Sequence, residues 1–396
     1  MAPLSSNAGP VPGHTGRAQA LADRLLGLGF RGRVLTPAHG AYEQERSLFN
    51  AMIRTRPSLI AKVTGPEDVA TAIRFARDHD LPLAVRSGGH SVAGHSLVDD
   101  GLVIDVRPLD SIAIDPVKRE ARVGAGITWG RFDMANQEHG LATTGGRVTT
   151  TGVAGYTLGG GNGWLDRTFG LAVDNLLSVD LVTADGRLVT ASADEHPELF
   201  WALRGGGGNF GVATSFRFRL FPVGTIYGGL FLFDAERAGE DVTRTYRDLM
   251  DSAPRQLGGG MLWLYAPAEE GIPEHLHNRL CVGVAFCYVG DEAEGERYAA
   301  VLRAHEPGLD AVGPVPYAEF NGSLDDPPGL RNYWTAEYLR HFDDAAVSTY
   351  VEHSLRMPSG THTQSAMFPS GGAVADVGED DTPLTSRQST WHVHPF

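Results

Sequence analysis

Apolar and polar positions in the first part of the chain follow the short periods of strands and helices. Two stretches carry apolar residues on one face and predict helices over residues 17–29 and 64–80, and Trp129 to His139 also reads as helical. Three brief apolar runs predict strands: SLIAKV (58–63), LPLAVRS (81–87) and LVIDV (102–106). The glycine-rich stretch 143–163 leaves almost no room for a regular element.

Alternating patterns dominate the chain from residue 177 onward. Residues 177–192 predict a hairpin, because Asp185-Gly186 lies between two alternating runs. A short helix that ends in glycine is predicted over 194–205, followed by a strand over 212–223. After Val223, strands such as GGGMLWLYA and LCVGVAFCYV are separated by acidic helical stretches. This predicts an antiparallel sheet with helices on one face.

These patterns divide the chain into three parts, in keeping with the two domains that 396 residues predict. Residues 1–55 are predicted to be a leader and a helix, residues 56–223 a first domain, and residues 224–396 a second domain. The final residues, TWHVHPF, predict a strand that enters the sheet of the second domain.

Charge and hydropathy narrow the classes of partner. The chain has 33 basic and 48 acidic residues, a net charge of −15, which disfavours nucleic acid and anionic membranes. No apolar run reaches the length of a membrane span, and the N-terminus lacks the pattern of a secretory signal. We therefore expect a cytoplasmic protein that binds neither nucleic acid nor membranes.

Cysteine usage argues against disulfide and metal chemistry. Cys281 and Cys287 lie six residues apart in one predicted strand, so they share a face but stand about 20 Å apart. They cannot bridge each other at that distance. No group of cysteines and histidines has zinc spacing, so no metal is expected.

Glycine is the unusual component, with 50 residues in short clusters. The run 206–211 matches GxGxxG, but a helix precedes it and a strand follows, which is the reverse of a nicotinamide-binding Rossmann unit. The loops 86–91 and 149–152 combine glycine with hydroxyl residues, whose backbone amides form anion-binding concavities. Two such loops favour the two phosphates of a large dinucleotide.

The stretch from Pro57 to Val223 resembles the flavin-binding domain of the berberine-bridge-enzyme-like FAD-linked oxidases. The matching segments are RSGGHS (86–91), GVAGYTLGGGNGWLDRTFGLAVDN (152–175), DLVTADG (180–186) and ELFWALRGGGGNFGVATSF (198–216). The resemblance implies an α+β fold of the p-cresol methylhydroxylase/vanillyl-alcohol oxidase type. In that fold a two-part FAD-binding domain is followed by an antiparallel-sheet substrate domain covered by helices.

The resemblance also implies where the cofactor is held. The histidine of RSGGHS, here His90, is bonded in the family to the 8α-methyl of FAD. Some relatives add a second bond from a cysteine, but Val148 stands at that position, so attachment through His90 alone is expected. Further cofactor contacts are implied for Arg86, Ser87, Gly88, Gly89, Ser91, Thr150, Thr151, Gly152, Gly155, Gly163 and Val212.

Catalytic residues are less defined by the resemblance. Tyr156 takes a position near the pyrimidine edge of the flavin, where a phenol can donate to developing charge, although a buried structural role is equally open. Candidate bases come from the second domain: Tyr333, Tyr338, Glu337, His392 and His394. Relatives continue into a further segment that supplies a catalytic or gating tyrosine. Its absence here predicts exposed apolar surface and a weakened site.

The sequence thus predicts an FAD-linked oxidoreductase that takes a hydride from an alcohol or amine carbon of a sugar or ring-bearing secondary metabolite, with dioxygen as reoxidant. An aromatic sheet would suit a ring-bearing substrate if its residues face the flavin: Trp263, Tyr265, Phe286, Tyr288, Tyr333 and Trp334. Two alternatives stay open. One is a flavin-binding protein impaired in catalysis, and the other is an NAD(P)-dependent Rossmann dehydrogenase.

Overall fold

The computed structural model describes residues 12–395, with side chains from residue 16 onward, so the predicted leader lies mostly outside the described residues. The helices are α1 Pro12–Gly27, α2 Tyr42–Arg46, α3 Pro66–Asp78, α4 Trp129–Gln137, α5 Val153–Leu158, α6 Asp166–Phe169, α7 Pro197–Leu203, α8 Ala235–Ser252, α9 Glu292–Arg303, α10 Tyr317–Gly322 and α11 Asp344–Ser354. Short 3₁₀ helices occur at Ala172–Asn175, Glu274–Leu276 and Gly372–Val374.

The strands form three sheets. They are β1 Arg33–Leu35, β2 Leu59–Lys62, β3 Leu83–Arg86, β4 Leu102–Asp105, β5 Ile112–Asp115, β6 Glu120–Gly124, β7 Leu176–Val182, β8 Leu188–Ser192, β9 Val212–Arg219, β10 Thr225–Asp234, β11 Leu257–Tyr265, β12 Leu280–Tyr288, β13 Leu309–Asp310, β14 Gly313–Pro316, β15 Glu337–Leu339, β16 Gln364–Pro369 and β17 Trp391–Pro395. We call residues 33–219 the N-terminal half and residues 225–395 the C-terminal half.

Two sheets make up the N-terminal half. The first has the order β1-β2-β4-β3, with parallel pairing from β2 to β3 and an antiparallel β1 at its edge. The second is antiparallel, with the order β5-β6-β9-β7-β8. The predicted hairpin is β7–β8, where Ser178 pairs with Ser192 and Gly186 adopts a φ of +80° at the turn. This half therefore consists of two parts, as the α+β prediction required.

The C-terminal half is built on one antiparallel sheet. Its order is β13-β10-β12-β11-β16-β17-β15, and β14 also pairs with β10. The buried residues of α8, α9 and α11 form one apolar core with the side chains of β10, β11 and β12 that face them. The predicted sheet with helices on one face is confirmed, and the terminal strand β17 pairs with both β16 and β15.

The aromatic residues of this sheet do not line a cleft, contrary to the sequence-based hypothesis. Trp263, Phe286 and Tyr288 lie in the helix-covered core, and the ring of Trp263 is so close to Gly239 of α8 that a Cβ there would lie 2.6 Å from it. Alternation shows which residues share a strand face, but it does not show which face meets which partner. Three of the six aromatic residues proposed from this pattern therefore stabilise the core.

The other face of the sheet contacts the N-terminal half. Ala285, Cys287 and Phe368 pack there against Trp164 and Leu165, which follow the glycine cluster. Both cysteines are free thiols buried in β12, and burial raises the pKa of Cys281 to about 11 and that of Cys287 further. The two thiols share one strand without bridging, as predicted.

Three elements of the N-terminal half that were not predicted are helix α5 and strands β5 and β6. Helix α5 lies inside the glycine-rich stretch that was predicted to hold no regular element, which corrects that prediction. It forms because Val153, Ala154, Thr157 and Leu158 are buried, so tertiary contacts outweigh the low helix propensity of glycine. Strand β5 has no fully buried residue and β6 carries charged residues at two of its five positions, so neither shows the apolar run by which β2, β3 and β4 were predicted.

A segment near the C-terminus lies across the N-terminal half, and we call residues 380–388 the strap. Trp201 of α7 donates its indole N–H to the Asp380 carbonyl at 2.9 Å. Leu384 covers the turns at Gly160 and Gly205. Arg387 forms a buried bidentate pair with Asp174, with N–O distances of 2.8 and 2.9 Å. The strap therefore joins the two halves.

The division of the chain near residues 56 and 224 stays a prediction. Strand β1 precedes residue 56 and pairs with β2, and the third sheet begins at Thr225. None of the helices in residues 12–395 has the length and apolar composition needed to cross a membrane.

Candidate functional site

Two glycine-containing loops meet directly in the N-terminal half. The first, residues 87–91, follows β3, and the second, residues 149–152, precedes α5. A Cβ on Gly88 would lie 2.2 Å from the amide nitrogen of Gly152, so only glycine permits this approach. None of the described residues accepts a hydrogen bond from the amides of Gly88, Gly89 or His90. Such a row of amides suits an anion.

His90 lies at the junction of these loops, between two threonines. Its Nε2 is 2.9 Å from the Thr150 hydroxyl, and its Nδ1 is 3.3 Å from the Thr151 hydroxyl. The Phe49 ring stacks on the imidazole at 4.1 Å between centroids. Burial lowers the pKa of His90 to about 4, although the nearby Asp325 raises it. The imidazole is therefore neutral at physiological pH, and one of its two ring nitrogens carries a lone pair instead of a proton.

Three other predicted contact residues hold the first loop in place. The Arg86 guanidinium donates to the Ser47 carbonyl at 2.6 Å and to the Glu45 carbonyl, so its side chain is committed to the protein. Ser87 donates from its hydroxyl to the Ala125 carbonyl at 2.8 Å. The Ser91 hydroxyl accepts from the His95 amide at 3.1 Å. These side chains support the loop and leave its backbone to meet a ligand.

The remaining predicted contact residues are spread more widely. Gly155 lies on the exposed side of α5, where an added Cβ would meet no protein atom within 4 Å. Gly163 is buried, and an added Cβ would lie 2.3 Å from the Gly145 carbonyl oxygen. Val212 begins β9, and its side chain packs in the large core of the N-terminal half. Only its backbone is left to face a cofactor.

Arg147 places a cation at the boundary between the halves. Its guanidinium lies 4.0 Å from the ring centroid of Phe368 and 4.8 Å from that of Trp164. It donates to the side-chain oxygen of Asn162 at 3.0 Å and approaches the Asp166 carboxylate at 3.8 Å. Cation–π contacts of this kind hold a buried guanidinium firmly. No pattern in the sequence indicates a role for Arg147.

Asn162 links Arg147 to two further candidate residues. The Tyr156 hydroxyl is 2.9 Å from the Asn162 side-chain oxygen and also donates to its backbone carbonyl. The side-chain nitrogen of Asn162 is 2.9 Å from His392 Nε2, on strand β17. Burial raises the pKa of Tyr156 to about 12, so the phenol keeps its proton and acts as a donor rather than a base.

The two histidines of β17 lie on the side of the sheet that faces this network. Burial is the main cause that lowers the pKa of His392 to about 3, and Arg147 and His394 lower it further. The pKa of His394 is also lowered, by burial and by Arg147. Both imidazoles are therefore neutral near pH 7.

A row of four aromatic rings crosses from one half to the other. Centroid distances are 4.1 Å from His90 to Phe49, 6.2 Å from Phe49 to Trp334, and 5.7 Å from Trp334 to His394. The row and the Asn162 network lie where the two halves meet, and we call this region the cleft. Phe49 carried no recognisable signal in the sequence.

Of the other three candidate bases, only Tyr338 lies beside His392. Tyr338 pairs with His392 across β15 and β17, with 5.9 Å between ring centroids, and is 58% exposed. Tyr333 is 81% exposed, and Glu337 is also exposed. None of the described hydrogen bonds joins Tyr333 or Glu337 to the cleft. His392, His394 and Tyr338 are therefore brought together, and the other two are not.

The chemistry of the cleft fits the FAD that the resemblance implies. The unpartnered amides of the first loop suit a diphosphate, and neutral His90 suits a bond to a carbon of the flavin. Val148, just before the second loop, occupies the position at which a second covalent bond to the flavin would need a cysteine. Both cysteines of the chain lie in β12 instead. The residues present thus fit attachment at one point.

Comparison with known proteins identifies relatives with the same cofactor chemistry. A family model described as "FAD binding domain" matches residues 57–192. The (R)-6-hydroxynicotine oxidase of Paenarthrobacter nicotinovorans is 40% identical over 345 residues, which is 85% of this chain and 70% of the relative.

Solved structures agree with this match. The crystal structure of 6-hydroxy-D-nicotine oxidase from Arthrobacter nicotinovorans has a TM-score of 0.80 and 28% identity, over 92% of this chain and 80% of that one. Berberine bridge enzyme in complex with (S)-reticuline has a TM-score of 0.80 over 95% of this chain and 78% of that one, at 21% identity, which shows the fold alone.

The Rossmann alternative is wrong. The glycine run 206–211 forms a turn after α7 and before β9, the reverse of a dinucleotide-binding βα unit. The matching family model describes an FAD-binding domain instead, and other relatives are named FAD-linked oxidoreductases. The chain therefore belongs to the FAD-linked oxidoreductases of the p-cresol methylhydroxylase/vanillyl-alcohol oxidase flavoprotein family, together with 6-hydroxynicotine oxidase.

Proposed function

We propose that the protein is an oxidase that takes a hydride from an amine or alcohol carbon of a ring-bearing small molecule, with FAD attached covalently through His90 alone and reoxidised by dioxygen. One observation carries the attachment. The neutral imidazole of His90 contacts threonine hydroxyls through both ring nitrogens, where the first loop, with its unpartnered amides at residues 88–90, meets the second loop.

The protein's own residues would bind and orient the reactants. When bound, FAD accepts a hydride from substrate carbon and passes two electrons to dioxygen, which gives hydrogen peroxide. The amides of residues 88–90 would hold the diphosphate, and Thr150 and Thr151 would keep His90 in place. Tyr156 stays protonated because burial raises its pKa, and its hydroxyl donates to Asn162, so we assign it the structural role of holding that residue in place. Packing between the halves would exclude water from the cleft.

A cyclic amine is the substrate class that we favour. The most informative relative is named for 6-hydroxynicotine, and it shares 40% identity with this chain. The pKa values of His392 and His394 are lowered, so both present neutral rings to the cleft, beside Trp334. Neutral aromatic surfaces suit a flat ring-bearing molecule. Sugars are the second substrate class that the proposal admits.

The covalent attachment is tested by acid precipitation of the purified holoprotein. We expect a yellow pellet from the unaltered protein and a colourless pellet from His90→Ala. The Ala variant should still bind FAD without a covalent bond, because the loop amides remain. Acid precipitation should then release that flavin into the supernatant. His95→Ala removes a second imidazole five residues away and should keep the yellow pellet. A yellow His90→Ala pellet would overturn the assignment to His90.

The oxidase activity is tested separately, by dioxygen uptake and peroxide formation with (R)-6-hydroxynicotine as the first amine probe. Flavin reduction under anaerobic conditions, followed by rapid reoxidation in air, is the expected result. A yellow protein whose flavin no amine, alcohol or sugar reduces would contradict the oxidase proposal and favour the impaired flavin-binding protein. That outcome would leave the attachment result standing.

A further inference from the structure

The orientation of the Asn162 side chain is fixed by its contact with Arg147. The guanidinium Nη1 of Arg147 lies 3.0 Å from the terminal atom assigned as Oδ1. A guanidinium has five donors and no acceptor, so the atom that it faces must be the amide oxygen. The Tyr156 hydroxyl, 2.9 Å from the same atom, is compatible with that choice. The amide nitrogen is therefore on the opposite side of the group.

That nitrogen determines the protonation of His392. Asn162 Nδ2 lies 2.9 Å from His392 Nε2, and an amide nitrogen can only donate. His392 Nε2 must then accept, so it carries no proton and the ring proton lies on Nδ1. The lowered pKa of His392, caused mainly by burial, agrees with a neutral ring.

We propose that Asn162 is a positioning residue that holds His392 in the Nδ1-protonated neutral form, through an amide orientation imposed by Arg147. The inference deepens the proposed function, because it concerns the same cleft. His392 was a candidate base, but its Nε2 lone pair is already engaged by the protein. It is therefore not a base through Nε2 while Asn162 is present.

The surroundings of His392 support the assignment. Phe368 of β16 stacks on its ring at 5.0 Å, and Tyr338 of β15 lies 5.9 Å away. The charged group that faces it is Arg147, and His394 on its own strand is the other titratable neighbour. No carboxylate among residues 12–395 hydrogen-bonds to His392, so no described carboxylate stabilises the doubly protonated, charged form of its ring.

The decisive variant is Asn162→Asp. A carboxylate of the same shape still accepts from Arg147 and Tyr156, but it has no proton to donate to His392. His392 must then carry a proton on Nε2. We expect the ring either to change tautomer or to become doubly protonated, with its pKa raised by at least about one unit.

The readout is the imidazole ¹⁵N chemical shifts of the histidine-labelled holoprotein between about pH 5 and pH 8. His392→Gln assigns the signal by its disappearance. In the unaltered protein we expect the Nδ1–H form throughout, and in Asn162→Asp the Nε2–H or the charged form. An Nε2–H signal in the unaltered protein, or identical signals in both proteins, would overturn the proposal.

Two further variants keep the test decisive if Asn162→Asp folds poorly. Arg147→Met leaves the amide but removes the group that orients it, so both His392 tautomers should be populated. Asn278→Asp adds the same carboxylate at an exposed turn before β12 and should change nothing. A fixed Nδ1–H form in Arg147→Met would contradict the role given to Arg147. These readouts need no turnover, so they stand apart from the choice of substrate.

Discussion

The orientation of the His90 imidazole is more restrained than that of a typical surface histidine, because each of its two ring nitrogens faces a threonine hydroxyl. Thr150 and Thr151 are adjacent in sequence, and the turn before α5 places one on each side of the imidazole. The Phe49 ring covers its face. A ring restrained in this way loses little orientational freedom on forming a bond, which favours attachment.

Thr150→Val should therefore slow the covalent attachment of FAD to His90. Valine keeps the shape but removes the 2.9 Å contact to Nε2, so the ring gains freedom. We expect the covalently labelled fraction, measured by intact-protein mass spectrometry soon after FAD is added to apoprotein, to fall about tenfold. Thr151→Val removes only the 3.3 Å contact and should have a smaller effect. Equal labelling in all three proteins would contradict this role.

Sequence alone locates some of these side chains and not others. RSGGHS identifies His90, because the motif is contiguous. The partners of Asn162 and Asp325 are far away in sequence: Asn162 contacts His392, and Asp325 accepts from the Thr149 amide at 2.6 Å. No local pattern reports such contacts, so neither residue was predicted.

Helices α4 and α10 meet through a buried carboxyl group. Asp133 of α4 is 2% exposed, and it accepts from the Asn321 side chain of α10 at 2.8 Å. Asn321 in turn accepts from the Trp164 indole at 3.0 Å. Burial raises the pKa of Asp133 from 3.8 to about 7, although the bond from Asn321 opposes the rise. Because burial favours the neutral form of the Asp133 carboxyl group, the stability of the contact between α4 and α10 should depend on pH.

Asp133→Asn should make stability less dependent on pH. The folded protein keeps the Asp133 proton up to about pH 7, whereas the unfolded chain releases it near pH 3.8. Stability from this group is thus present at low pH and is lost as the pH rises through this window. The difference in unfolding free energy between variant and unaltered protein should change by up to about 4 kcal/mol between pH 4 and pH 7.

Urea unfolding at several pH values measures that difference. Glu138→Gln, at the exposed end of α4, is the control and should give a curve parallel to that of the unaltered protein. Parallel curves for Asp133→Asn as well would show that folding does not raise the pKa of Asp133.

Whole elements were predicted best where the local signal was strong. The hairpin β7–β8 and helix α8 follow from their turn residues and periodicity, and both are confirmed. Helix α5 was missed, and Trp263 does not face the flavin site as the hypothesis about the aromatic sheet would need, because burial by distant residues decided both. Local pattern gives the element and its faces, while tertiary contacts decide which face is buried.

At the scale of the molecule, polar contacts fasten the two halves at separated points. The strap contributes the pair Arg387–Asp174, whose side chains are only 1% and 7% exposed. Asn50 donates to the Asn332 carbonyl at 2.9 Å and accepts from its amide at 3.0 Å. The resemblance predicted the architecture of each half, but the residues that join them came only from the structure.

Arg387→Met should destabilise the folded chain strongly. It leaves the Asp174 carboxylate buried without its partner, which typically costs about 3–5 kcal/mol of unfolding free energy. The double variant Arg387→Met/Asp174→Asn removes the uncompensated charge and should recover a large part of the loss.

Urea denaturation gives the free energies for this comparison. The exposed pair Arg356–Glu352, with side chains 68% and 60% exposed, offers the matched control. Arg356→Met should cost less than about 1 kcal/mol, because solvent screens such pairs. Equal losses at the two sites would show that burial does not govern the strap contact.

The concealed thiols of β12 have a practical consequence. Cys281 and Cys287 are the only cysteines of the chain, and their raised pKa values keep them in the unreactive SH form. A single cysteine introduced at an exposed position would thus be the preferred target of maleimide or nitroxide reagents. Spectroscopic labels could be placed on either half without first removing a native residue.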